Sequence, residues 1–105
     1  MHPENAKAPA GELPPLELLR TFEAAARRLS FTLAAAELHL TQSAVSRQIQ
    51  QLEASLGVLL FERRHRALSL TEAGGVMQRA VTDSLERLRD ATARVRANSA
   101  PRQVA

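Results

Sequence analysis

Ser43, Arg47 and Gln50 fall on one side of a helical stretch that begins at Gln42, with Gln42 and Ser46 flanking them near its start. At about 100° per residue this side lies opposite Val45, Ile49, Leu52 and Leu56. Hydroxyls and amides both donate and accept hydrogen bonds, and a guanidinium meets the guanine edge through two parallel bonds. That set suits the reading of base edges in a major groove, for which the N-terminal half of a helix is the part that makes contact. A helix shaped by stability alone would fill the face with Glu–Lys pairs. Taken by itself, the face is explained equally well as solvated surface.

A second cluster follows at Arg63-Arg64-His65-Arg66. A charge run at a hairpin tip is ordinarily soluble surface, but beside a base-reading helix it suits phosphate contact and entry into the adjacent minor groove. Arg64 and Arg66 are expected at the tip. Arg63 has an alternative, being held back by packing or by a carboxylate such as Glu62 or Glu53. Thr32, at the start of a shorter helix, offers a hydroxyl and nearby backbone N–H groups to a phosphate. Helix capping is its competing role and does not exclude that contact.

These side chains need elements to place them. Pro14-Pro15 opens the folded part, since proline is accepted at a helix start and not inside one. Leu16, Leu19, Phe22, Ala26 and Leu29 recur at three- and four-residue steps, with Glu17, Glu23 and Arg27 off the stripe, which predicts a first amphipathic helix. Ser30 is suited to cap a second helix over Thr32–Leu38, with Ala34, Ala35 and Leu38 as its buried face. Thr41 caps a third helix from Gln42 to Leu56, and Gly57 ends it. Two helices joined by so short a turn follow the helix-turn-helix plan. His39 sits in the turn where glycine is common, and histidine tolerates a positive φ better than most residues. The stretch 59–70 reads as a two-stranded wing, with Leu68-Ser69-Leu70 alternating.

Thr71 caps a final helix to about Asn98. Val81, Leu85, Leu88, Thr92 and Val95 follow a 4-3-4-3 spacing, a coiled-coil-like seam that Met77 extends. The preceding domain has room to bury its first turns, where Gly74-Gly75 permits close approach. A stripe reaching Val95 needs more cover, and a second copy of the chain is the simplest. Dimerisation fits DNA recognition, because two half-sites give the site length and symmetry. The expected architecture is mainly α: a winged helix-turn-helix of three helices and a hairpin, then a long linker and dimerisation helix. Residues 1–12 are expected to form a disordered tail, 13–70 the domain (helix-turn-helix 31–50, wing 59–70), 71–98 the linker helix and 99–105 a frayed end.

Composition narrows the function further. The 105 residues suffice for one small domain, and only 3% are aromatic, with no Trp, Tyr or Cys. Disulfides, thiol chemistry and Cys-ligated zinc are excluded, and His2, His39 and His65 lack metal-ligand spacing, so neither metal nor cofactor is expected. No carboxylate pair, nucleophile–base set or phosphate-cradling glycine loop occurs at a meaningful spacing, which argues against an enzyme. No apolar run reaches the roughly 18 residues of a membrane span, and the start lacks the regions of a signal peptide, so a cytoplasmic protein is expected. The net charge of +3, carried by arginines and a single lysine, permits nucleic acid as a partner without establishing it. An RNA-binding winged helix is a further alternative, against which the absence of Tyr and Trp leaves no clear stacking platform for single strands. The rival from another class is a module that binds a partner protein through the Met77–Val95 stripe and uses no DNA.

Leu18-Leu19-Arg20-Thr21-Phe22-Glu23-Ala24-Ala25-Ala26, Ser30-Phe31-Thr32, Thr41-Gln42-Ser43-Ala44-Val45-Ser46-Arg47-Gln48-Ile49, Leu56-Gly57, Leu60-Phe61-Glu62-Arg63 and Leu70-Thr71-Glu72-Ala73-Gly74 together resemble the LysR-type transcriptional regulators. The wording is most similar to the subgroup of glycine-cleavage activators and β-lactamase regulators, and the likeness runs from about Leu13 to Asn98. The resemblance implies a bacterial regulator that pairs through its linker helix, often within a tetramer. It implies base contacts at Gln42, Ser43, Ser46 and Arg47, phosphate contact at Thr32, and a minor-groove contact near Arg64 and Arg66. It also implies a site that is an interrupted palindrome with T and A at its ends. Family members continue into an effector-binding domain of two α/β lobes, so the chain is expected to be a DNA-binding fragment of a longer regulator, with a naturally short paralogue as the alternative. In either case that domain, and any small-molecule effector site, is expected to be absent here. Leu33 stands where the family often carries a charge.

Overall fold

The computed structural model describes residues 11–104, with side chains through Ser99. The tail expected over 1–12 falls, through residue 10, outside the described residues. Four helices and one hairpin follow in the order α1 (Leu16–Arg28), α2 (Phe31–Leu38), α3 (Gln42–Leu56), β1 (Phe61–Arg64), β2 (Ala67–Leu70) and α4 (Glu72–Val104). This is a mainly helical winged helix-turn-helix with a long C-terminal helix.

The local signals act at the caps. The Ser30 hydroxyl accepts from the Leu33 N–H at 3.0 Å, and the Thr41 hydroxyl accepts from the Ala44 N–H at 3.0 Å. Each satisfies an N–H that has no partner within its own helix. Gly57 ends α3 at φ +75°, a left-handed position open to glycine at little cost. His39 takes φ +60° between α2 and α3, and its N–H returns to the carbonyls of Ala35 and Ala36. The turn therefore closes without glycine.

α1 buries the middle of the expected stripe and more besides. Phe22 and Ala26 are buried and Leu19 packs against the core, as expected; Leu18, Thr21 and Ala25 are buried as well, whereas Leu16 and Leu29 at the helix ends are about half exposed. Leu29 is not helical at all: it caps α1 in the left-handed region at φ +49°. Glu23, expected off the stripe, is buried against Arg27, whose Nε donates to it at 2.9 Å. α2 begins one residue early, at Phe31, which is buried together with Ala34 and Ala35, while Leu38 only packs at the edge of the core.

Small side chains let these helices approach closely, and Val45, Ile49, Leu52, Leu60 and Phe61 fill what remains. The wing is a two-stranded antiparallel sheet with Phe61 opposite Leu70 and Arg64 opposite Ala67, which leaves His65-Arg66 as a two-residue turn. α4 starts against the wing. The Thr71 hydroxyl accepts from the Gly74 N–H at 3.0 Å and donates to the Leu59 carbonyl at 2.7 Å. A β-carbon on Gly74 would lie 2.1 Å from the Leu60 carbonyl oxygen, so glycine is required there, whereas Gly75 is not crowded.

The six-residue seam of α4 does not act as one surface. Val81 and Leu85 belong to the chain's own core and Met77 packs against it, because α1 packs against α4. Leu88 and Val95 remain 54% and 64% exposed, and Thr92 between them is also exposed. α4 also runs on to Val104 rather than stopping at Asn98. The extension passes Pro101, which supplies no backbone N–H to the helix, and Ser99 donates back to the Val95 carbonyl, a bond a continuing helix accommodates.

Candidate nucleic-acid interface

α3 is held on three sides, which fixes the fourth. Val45, Ile49 and Leu52 enter the core. Gln48 faces α1, where its side-chain oxygen accepts from the Thr21 hydroxyl and its Nε2 donates to Glu17 at 3.4 Å. The Glu53 carboxylate accepts from the N–H groups of Leu60 and Phe61 at 2.8 and 3.3 Å. Gln48 and Glu53 were not among the residues singled out for function in the sequence, yet they orient the helix. Both belong to α3, and only their distant partners reveal the role.

Ser43, Arg47 and Gln50 are left exposed, with Gln42 beside them and Ser46 half-buried. Glu53 is the only carboxylate on α3, and it is occupied by the wing backbone, so the outward face carries no negative charge. Thr41 and Ser43 share a hydroxyl contact at 3.2 Å at the helix start.

The wing stands beside this face. One open concavity of about 330 Å³ gathers Ser30 and Phe31 from the start of α2, Gln42 from α3, and Arg63, His65 and Arg66 from the hairpin. A neighbouring one of about 290 Å³ gathers Ser46, Gln50 and Glu53 with Arg63 and Phe61. The structure therefore brings Gln42, Ser46 and Gln50 together with the wing, one helical row facing it. Ser43 and Arg47 point outward past that row.

The cations of the wing differ from one another. Arg66 occupies the turn itself, beside His65 at φ +56°. Arg64 closes β1 and pairs with Glu62 at 3.2 Å, with both side chains well exposed. Arg63 is held back, as one reading of the sequence allowed, but not by Glu62 or Glu53. Its guanidinium lies over the Phe31 ring, 5.0 Å from the centroid. Thr32 is exposed in the first turn of α2, and the capping role it might have filled belongs to Ser30.

α2 is positioned by an ion cluster. Arg27 bonds both Glu23 and Glu37, and Arg28 reaches Glu37 at 3.0 Å. The Arg27 contact, then the Arg28 contact, holds the Glu37 carboxyl down to about 2, and Arg27 is pushed above its usual range by Glu23 and Glu37. The cluster ties the end of α1 to α2 at the surface, while the buried Phe31, Ala34 and Ala35 seat α2 on the core.

A helix with a free polar face, a preceding short helix and a cationic hairpin beside them define a winged helix-turn-helix. Residues 16–75 match the family of bacterial regulatory helix-turn-helix proteins of the lysR family, and the chain belongs to it. It is 52% identical over 88 residues to the glycine cleavage system transcriptional activator of Escherichia coli (strain K12), covering 84% of this chain and 29% of that protein. It is 53% identical over 74 residues to the HTH-type transcriptional activator AmpR of Pseudomonas aeruginosa, covering 70% of this chain and 25% of that one. The chain spans under a third of the length of these curated relatives. Among solved structures it is similar to BenM_DBD in complex with catB site 1 DNA, with a TM-score of 0.75, 33% identity, and coverage of 80% of this chain and 93% of that one. The CbnR_DBD–DNA complex gives a TM-score of 0.71 at 37% identity, over 82% of this chain and 99% of that one. These relatives are transcriptional regulators, and no helix among the described residues is long and apolar enough to cross a membrane.

Proposed function

We propose that this chain binds double-stranded DNA in a sequence-specific manner, as a bacterial transcription regulator in the cytoplasm, and catalyses no reaction. α3 lies in the major groove, where Gln42, Ser43, Ser46, Arg47 and Gln50 face base edges. Thr32 meets a backbone phosphate, and Arg64 and Arg66 follow the adjacent minor groove. The observation that carries this reading is the composition of the one α3 face left free: hydrogen-bonding groups and one guanidinium, with the helix's only carboxylate turned away. Relatives solved on DNA with similar folds support it.

The chain pairs with a second copy through the exposed part of α4, centred on Leu88, Thr92 and Val95. Two copies place two α3 helices on successive major-groove faces, which suits a two-fold symmetric site; that its ends are T and A rests on the family resemblance alone. Selection of tight binders from a random duplex pool tests the reading. It is expected to enrich one two-fold symmetric sequence, bound by a dimer with affinity falling steeply as salt rises. Sequence-blind binding by a monomer would overturn it in favour of a protein-interaction module.

A further inference from the structure

The chain has three phenylalanines, and all of them meet at one point. Phe22 of α1 and Phe61 of β1 lie 5.6 Å apart between ring centroids, and Phe31 of α2 meets Phe61 edge-on at 5.3 Å. Arg63 follows Phe61 by two residues, so both side chains stand on the same face of the strand. Its guanidinium completes the stack over Phe31. Arg63 also borders both concavities that separate the wing from α3.

We propose that Arg63 is a positioning residue, a clamp that fixes the wing relative to the helix-turn-helix, rather than a ligand of DNA. The wing is a four-residue pair of strands, and an isolated hairpin of that size has little stability of its own. Glu53 ties down its first two N–H groups. Beyond them, the contact between Arg63 and Phe31 links the strand to the start of α2. Its consequence is specificity: the clamp sets the distance between what α3 reads and what Arg64 and Arg66 reach.

The proposal rests on the DNA-binding reading for that consequence, but its geometry is testable without DNA. In the free protein, Arg63→Gln and Phe31→Leu are each expected to speed amide hydrogen exchange of Phe61–Arg64 about three- to fivefold, the scale of an exposed cation–ring contact. The double variant exchanges no faster than Phe31→Leu alone, because losing that ring removes its Phe61 contact along with the Arg63 one, and Phe31→Tyr, which keeps the ring, exchanges as the wild type does. Unchanged exchange in Arg63→Gln overturns the clamp whether or not the chain binds DNA.

On a selected duplex, Arg63→Gln is expected to keep the wild-type salt dependence while losing preference at the base pairs beneath the wing, and Phe31→Leu to lose the same preference. A salt slope shallower by about 0.9 in Arg63→Gln alone would make Arg63 a phosphate ligand and sink the proposal. If Phe31→Leu fails to fold, the exchange and salt slope of Arg63→Gln decide by themselves. Failure of the wild type to select any duplex would remove the DNA reading and leave the exchange result to judge the clamp.

Discussion

α3 and α4 are both amphipathic helices, and they leave opposite things exposed. α3 buries its apolar row almost entirely: Val45, Ile49 and Leu52 are at most 2% exposed, Leu56 at the helix end is half-buried, and the face left over is polar. α4 buries apolar residues only as far as Leu85 and then carries Leu88 and Val95 into solvent. A polar face that is held outward and, the Thr41–Ser43 contact apart, makes no side-chain hydrogen bond among the described residues is suited to a polar partner. An apolar stripe flanked by Arg89, Asp90, Arg94 and Arg96 is suited to a like surface, and the stripe itself supplies one when two chains meet.

The comparison breaks most visibly at the buried residues. Leu52→Ala leaves a void under α3 and is expected to cost about 2–5 kcal/mol of stability in denaturant unfolding. Leu88→Ala, on the exposed half of α4, should leave the unfolding of the monomer almost unchanged. Equal losses at the two positions would mean that α4 is covered within its own chain.

Next in size is the joint between wing and α4. Gly74→Ala would place a methyl against the Leu60 carbonyl oxygen and the Leu70 side chain, and overpacking of that kind costs about 1–3 kcal/mol. Gly75→Ala, where the nearest side chain is 3.8 Å away, should be neutral or slightly stabilising in a helix. The thermal midpoints of the two variants are expected to move apart.

The pairing surface comes third. Leu88→Glu is expected to weaken dimer formation at least tenfold in sedimentation, because it places charge where two apolar stripes meet. Glu86, off the stripe, is the control, and Glu86→Gln should leave the dimer intact.

The smallest effect depends on pH. The folded Glu37 carboxyl titrates near 2, below its ordinary value of 4.5, because Arg27 and Arg28 bond the charged form. A depressed carboxyl stabilises the fold above its unfolded value and loses that contribution as pH falls through the folded one. The stability gap between wild type and Glu37→Gln should therefore be constant above about pH 5 and shrink towards zero between 4.5 and 2. The pair is exposed, so the gap stays small.

How much of this was readable follows from the range of each signal. The bounds of α3 at Gln42 and Leu56 were legible because Thr41 and Gly57 act on backbone groups three or four residues away. The buried face of α1 was legible only in part: Leu19, Phe22 and Ala26 lie on it as expected, whereas Leu18, Thr21 and Ala25 were not placed there. Ala24, Ala25 and Ala26 blur the phase of the stripe, and Leu16 and Leu29 lie at helix ends where cover is incomplete. Periodicity predicted an apolar row on α4 but carries no information on whether the cover comes from the same chain, so Val81 and Leu85 were grouped with Leu88 and Val95. Nearby carboxylates were the obvious partners for Arg63, whereas the ring it stacks on is 32 positions earlier in sequence. Glu53 was hidden for a related reason: a carboxylate that accepts from backbone N–H groups has no partner type that a sequence pattern can flag.

The central claim is that the outward face of α3 reads sequence, and Arg47 is its sharpest point. Wild type and Arg47→Ala should be titrated against the selected duplex, against single-base variants of it and against unrelated DNA, at several salt concentrations. The account predicts a loss of about 1–3 kcal/mol on the selected site, with discrimination relaxed at one position in each half-site and weak binding to unrelated DNA largely retained. Unchanged affinity and unchanged base preference in Arg47→Ala would contradict it.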